Sequence, residues 1–179
     1  MTTDYLIMNT NIDQEKVQTF ITWTTTKIQE GSSGFYIAFS TSGGNVSAGI
    51  LMANYIQALP VPVTMHNVSS VASIGIPIYS AATERFSNPL STFVFHGSGM
   101  TTADRLDEER LKNMLDSVKG QNDLIAKSIA ETGGLDYQEC RKLLSGEVSR
   151  SAKWAVENGI CSKLIDFKIP EGTQLMNLF

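Results

Sequence analysis

The sequence is poor in cysteine and has no run of positive charge. Its two cysteines, Cys140 and Cys161, are too few for a disulfide framework and have no CxxC partner for a metal. We therefore expect two reduced thiols and no metal site. The net charge is only -4, and no cluster of Lys or Arg could follow a phosphate backbone. Nucleic acid is therefore not an expected partner.

Long apolar runs are missing as well. No stretch approaches the roughly 20 apolar residues that a helix needs to span a bilayer. The first residues, "MTTDYLIMNT", lack the positive and apolar regions of a secretory signal. We therefore expect a cytoplasmic protein that does not bind membranes. With 42% hydrophobic and 18% charged residues, 179 residues are enough for one globular domain, residues 1–179, with its own core.

The order of predicted elements indicates an α/β fold with a parallel sheet. A strand at Tyr5 to Met8 precedes a helix that starts at Asp13 and stops at Gly31. The pattern continues with the strand "GFYIAF", the helix "NVSAGILMANYIQAL", the strand "VPVTMHNVSS", the helix "ASIGIPIYSAAT" and the strand "STFVFHG". Such alternation favours parallel strands covered by helices on both faces.

The alternation of strands and helices stops after Gly99. A long, charged helical arm is predicted over about residues 101–134, followed by two short helices and a last strand at about Ser162 to Phe167. Leucine and methionine side chains are interleaved with the charges of the arm, namely Leu106, Leu111, Met114 and Leu115. These residues favour an arm that pairs with a second copy over a solvated surface helix.

Residues with catalytic chemistry follow three of the predicted strands. Gly43-Gly44, Ser73 and His96 stand at carboxyl ends of strands, which in parallel sheets is where ligands bind. A serine becomes a nucleophile when a neighbouring base takes its proton, and histidine is the usual base. The backbone N–H groups of Gly44 and Ile74 are then natural donors to an oxyanion. The structural alternatives are a helix cap, a turn and a hydrogen-bonded histidine. His66, in mid-strand, is expected to be a buried structural residue.

Four blocks of the sequence together resemble one family. In order, "FSTSGGNVSAG", "SSVASIGIPIYSAAT", "RFSNPLSTFVFHG" and "SAKWAVENGICSKLID" are similar to the proteolytic subunit of Clp protease, from about Tyr5 to Asp166. The resemblance implies the ClpP/crotonase-like fold of stacked ββα units, with residues 101–134 as a protruding helical handle. It implies no cofactor.

The resemblance also assigns roles to residues. Ser73 would be the nucleophile, His96 the general base, and Gly44 with Ile74 the oxyanion donors. Glu147 stands where the family has the aspartate of the triad, and glutamate can orient an imidazole in some triads. Asp166 is a weaker substitute. The family's prolines after the histidine and in the Gly-Gly turn are absent here, which changes the expected shape of the substrate groove.

By the same resemblance, the partners would be further copies in a ring or stacked rings, and peptide or unfolded-protein substrates. An ATP-dependent unfoldase is the usual partner, but the chain begins almost at its first strand, without the family's N-terminal helix and axial loops. Docking to an unfoldase is therefore expected to be absent or different. Two alternatives stay open: a catalytically silent ring subunit, and crotonase-like acyl-CoA chemistry. Ser73 and His96 argue against the second, because crotonases commonly use carboxylates there.

Overall fold

The structure is a computed structural model that describes residues 2–179. Within that range it contains eight strands: β1 (Thr3–Asn9), β2 (Gly34–Thr41), β3 (Val63–Ala72), β4 (Glu84–Ser87), β5 (Thr92–Phe95), β6 (Val148–Ser151), β7 (Lys163–Leu164) and β8 (Leu175–Leu178). The same range contains six helices: α1 (Gln14–Gln29), α2 (Val46–Ala58), α3 (Gly75–Ser80), α4 (Glu108–Thr132), α5 (Tyr137–Gly146) and α6 (Ala152–Glu157).

All the strands belong to one sheet. The central order is β6-β5-β3-β2-β1-β8, and β4 branches off β3 to pair with β7. The pairs β1–β2, β2–β3 and β3–β5 are parallel, whereas β6 runs antiparallel to β5. The predicted α/β class with a parallel sheet is therefore confirmed.

The helices begin where their capping residues stand. Asp13 caps α1 by accepting the N–H of Lys16 at 2.8 Å, and Asn45 caps α2 by accepting the N–H of Ala48 at 2.9 Å. Asp107 caps α4, so the long arm helix begins at Glu108. These side chains satisfy N–H groups that have no partner inside the helix.

The sequence-based boundaries need three corrections. Residues 101–107 of the predicted arm are not helical, since α4 starts only at its Asp107 cap. The last predicted strand shortens to Lys163–Leu164, because the N–H of Phe167 donates to the side chain of Asn88. Three strands, β4, β6 and β8, were not predicted, and each of them is only four residues long.

The buried hydrophobic side chains form a cluster that joins the sheet to the helices. Phe35, Ile37 and Phe39 of β2 are at most 1% exposed and share this cluster with Phe20 of α1 and Met52 of α2. These three side chains lie on one face of β2, and Ala38, which points to the opposite face, is also buried at 2% exposure, so the strand is covered on both faces. The central strands therefore provide a rigid base for the loops at their carboxyl ends.

His66 lies fully buried in β3 and is part of a polar network. The Tyr36 hydroxyl is 2.7 Å from its Nδ1, and Asn88 Oδ1 and the Ile165 carbonyl are 2.9 and 3.1 Å from its Nε2. A carbonyl oxygen can only accept, so Nε2 carries the hydrogen and Nδ1 accepts from Tyr36. Burial lowers the pKa of His66, which favours this neutral form. The interpretation of His66 as a structural residue is confirmed.

Both cysteine thiols are buried and free. Burial raises the pKa of Cys140 to about 11 and also raises the pKa of Cys161. Both thiols are reduced, as the sequence predicted, and buried thiols of this kind are inert. Among residues 2–179, no helix is both long and apolar enough to cross a membrane.

Candidate active site

Three neighbouring parallel strands bring the predicted site residues to one edge of the sheet. Thr41 of β2 pairs with Val71 of β3, and Ala72 pairs with Val94 of β5. The residues that follow these strands line a single cavity of about 390 Å³, and they include Gly44, Ser73 and His96. The structure thus brings together residues that lie 52 positions apart in the sequence numbering.

Ser73 occupies a strained turn between β3 and α3. Its φ is 53°, in the left-handed region, and its side chain is almost fully buried. The turn is held by two hydrogen bonds, from the Ser73 N–H to the Val94 carbonyl at 2.9 Å and from the Ile76 N–H to the Ser73 carbonyl at 3.0 Å. A non-glycine residue in this region costs about 1–3 kcal/mol, and such residues cluster at active sites.

The Gly43-Gly44 turn passes close to Ser73 because neither residue has a side chain. The two residues have φ values of 101° and 146°. A Cβ on Gly43 would lie 2.7 Å from the Ser73 Cβ, and a Cβ on Gly44 would lie 2.2 Å from the Ile12 carbonyl oxygen. Any other residue would therefore displace this turn from the cavity.

Two backbone N–H groups near Ser73 have no backbone acceptor among residues 2–179: that of Gly44, which lines the cavity, and that of Ile74, which follows Ser73 directly. The Ile12 N–H donates to the Gly43 carbonyl, and the Ile12 carbonyl accepts the N–H of Asn45. The residue between them, Gly44, therefore does not use its own N–H in this pairing. Over residues 2–179, neither the Gly44 N–H nor the Ile74 N–H donates to a backbone acceptor. Free N–H groups on the backbone beside a nucleophile can stabilise an oxyanion.

His96 follows β5 directly and is partly buried. Its Nδ1 lies 3.1 Å from the carbonyl oxygen of Gly97, and since a carbonyl can only accept, Nδ1 carries the hydrogen. Nε2 is then the acceptor nitrogen that a general base needs. In the described part of the chain no hydrogen bond joins Ser73 to His96. Catalytic hydrogen bonds are often long without substrate and tighten when it binds.

Glu147 lies at the end of α5, immediately before β6. Val148 pairs with Phe95, the last residue of β5, so Glu147 is close to the strand that His96 follows, but it is exposed. Its φ is 49°, and within residues 2–179 no ion pair involves it. Asp166 lies near His66, where its charge only weakly opposes the lowering of the His66 pKa by burial, and it is not among the residues that line the cavity. The predicted role of Glu147 as third triad member is therefore untested, and its exposure argues against that role.

Replacing Glu147 with glycine is expected to stabilise the protein and to leave most of its peptidase activity. Glycine adopts the left-handed conformation without strain, so Glu147→Gly should be about 1 kcal/mol more stable than Glu147→Ala in chemical denaturation. The alanine variant keeps the strain and is the matched control. Loss of most activity in both variants, with the fold intact, would instead establish Glu147 as the third member.

The cavity also contains residues that the sequence did not single out. Asn45, Val46 and Gln121 line it together with residues 97–99. Adjacency to Gly44 and His96 could have indicated most of them. Gln121 belongs to the arm helix α4, and no sequence signal connects it to β5.

The fold defines the class of protein. It matches the structure of a point mutant of ClpP1 from Listeria monocytogenes with a TM-score of 0.78 and 23% identity, covering 92% of each chain. This is the fold of the ClpP class, as the resemblance implied. The Clp protease family model matches residues 2–168, so the chain belongs to the Clp protease family. A search of curated proteins gave no match.

Proposed function

We propose that this chain is a serine endopeptidase that cleaves peptides or unfolded polypeptides through an acyl-enzyme on Ser73. Membership of the Clp protease family makes it a Clp-type, protease-like protein. The observation that carries the finer proposal is the shared cavity, lined by the strained Ser73, by His96 and by Gly44. Nucleophile, base and oxyanion donors are the parts that acyl transfer requires.

The proposed reaction has two halves. Ser73 Oγ bonds to the carbonyl carbon, its proton passes to His96 Nε2, and the carbonyl electron pair moves to the oxygen, which accepts from the N–H groups of Gly44 and Ile74. The C–N bond then breaks, and the Nε2 proton moves to the leaving amine. Water repeats the sequence on the acyl group, releases a carboxylic acid and restores the serine.

A catalytically silent ring subunit is the second candidate. The exposed position of Glu147 favours it, because a histidine base without a carboxylate is a weaker catalyst. A silent subunit would keep the fold and the cavity but would not activate Ser73. Reactivity of the serine therefore separates the two candidates.

A fluorophosphonate probe tests the proposal, because it labels only activated serines. We expect one label per chain, which peptide mass spectrometry should assign to Ser73. Ser73→Ala should abolish labelling, whereas Ser42→Ala, an exposed serine on the neighbouring turn, should not change it. Folded and assembled protein that takes no label at Ser73 would identify the silent subunit.

We further propose that the protein works as a homo-oligomer, which is typical of the family. On α4 the apolar face that buries Ile125, Ala126 and Ile129 continues for about four turns to Leu115 and Leu111. These two leucines are 53% exposed. An apolar stripe that continues beyond the body of the chain supports contact with a second copy.

A further inference from the structure

The carbonyl that faces His96 belongs to a peptide unit that is held by the arm helix. The Gly97 carbonyl oxygen lies 3.1 Å from His96 Nδ1, and the N–H of the same peptide unit, that of Ser98, donates to Asn122 Oδ1 at 2.6 Å. On the other side, the Gly97 N–H donates to the Leu144 carbonyl at 3.0 Å. The loop after β5 is thus tied to α4 and to α5.

The contact between Gly97 and Asn122 is close. A Cβ on Gly97 would lie 3.0 Å from both Oδ1 and Nδ2 of Asn122. Asn122 is partly buried and is not among the residues that line the cavity, so it touches the loop and not the space for substrate. Its contact with the site is therefore made through the Gly97–Ser98 peptide unit.

We propose that Asn122 is a positioning residue that orients His96 through the Gly97–Ser98 peptide unit. The unit accepts the Nδ1–H of His96 at its carbonyl and donates its own N–H to Asn122. Hydrogen bonds in such a chain polarise one another, so the bond to Asn122 strengthens the carbonyl as an acceptor. A bond at Nδ1 decides which ring nitrogen is free, and it leaves Nε2 to accept the proton of Ser73.

This arrangement replaces part of what a triad carboxylate does. A carbonyl fixes the tautomer and the ring orientation, but it carries no charge to balance the imidazolium. The catalytic role rests on the proposed function, in which His96 is the base. The tautomer does not depend on catalysis and can be measured separately.

The presence of only two histidines makes the tautomers measurable. The assembled full-length protein, labelled with ¹⁵N-histidine, is examined by solid-state NMR at mildly alkaline pH, where imidazole is neutral. We expect the two histidines to be different tautomers, with hydrogen on Nε2 in His66 and on Nδ1 in His96. The His96→Ala spectrum assigns the two sets of resonances.

Variants at the contact should change the His96 tautomer and kcat together. Asn122→Ala removes the acceptor and should lower the Nδ1–H population of His96 and lower kcat by roughly 10- to 100-fold, with KM unchanged. Asn122→Asp keeps an acceptor and should restore both. Gly97→Ala, which pushes the Asn122 amide away, should reproduce the alanine effect. Asn54→Ala, on the exposed side of α2, is the control that should change neither.

Two results would overturn the inference: hydrogen on Nε2 of His96 in the wild type, or an unchanged tautomer in folded Asn122→Ala protein. An unchanged kcat with a changed tautomer would overturn the catalytic role. Failure of the proposed function looks different, because Ser73→Ala would then be as active as the wild type while the NMR result would stand.

Discussion

Replacing Ser73 or His96 with alanine should lower kcat/KM for a short fluorogenic peptide by about 10⁴- to 10⁶-fold. Ser73 supplies the bond-forming oxygen, and His96 is the base that takes its proton. Loss of either residue therefore prevents formation of the acyl-enzyme by this route. The two residues line the same cavity after neighbouring strands. The residual rate should come from substrate binding and from the N–H groups of Gly44 and Ile74.

The double variant provides the sharper measurement. Because the two residues act as a unit, Ser73→Ala with His96→Ala should be no slower than either single variant, within experimental error. Ser42→Ala is the matched control and should keep wild-type kinetics. Additive losses, or a Ser73→Ala variant that cleaves as fast as the wild type, would contradict the assignment of nucleophile and base.

Charges placed on the exposed stripe of α4 should dissociate the assembly. We expect the wild type to form a multimer of several subunits in size-exclusion chromatography with light scattering. The double variant Leu111→Glu with Leu115→Glu should run as a much smaller species, because two carboxylates would have to be buried in the contact. Both leucines are exposed in the isolated chain, so the fold should be unaffected.

The control for this variant is placed on the same helix. Asn113→Glu with Ser117→Glu adds the same charge at the same spacing, on a face turned by about 160° from the leucine stripe. Both side chains are exposed. This variant should keep the wild-type mass. A wild type that is monomeric at micromolar concentration, or equal dissociation of both variants, would contradict assembly through the stripe.

Much of the fold could be predicted because it depends on local patterns. Asp13 and Asn45 stand at helix starts, and the apolar run of β2 is long enough to identify a buried strand. The strands β4 and β6 escaped prediction because four residues carry no clear period. They become strands only because their backbones pair with β3 and β5, respectively, in the folded sheet.

The candidate site could be predicted in part for a similar reason. Gly44, Ser73 and His96 each follow a strand, and the carboxyl ends of parallel neighbours must meet at one edge. The sequence therefore contained both the residue types and their common location. The family resemblance also supported Glu147 through its position in the sequence, but a position in the sequence does not specify where a side chain points.

The sequence by itself determined the helices and the longer strands, the membership of the Clp protease family and the three strand ends that carry the candidate site, since these follow from local propensity and motif. The tertiary structure decided the left-handed turn at Ser73, the exposure of Glu147 and the contact between Gly97 and Asn122. That contact joins residues on separate elements, and it exists only because α4 packs beside the loop after β5. Side-chain direction depends on such packing, whereas strand and helix order depends on neighbours along the chain.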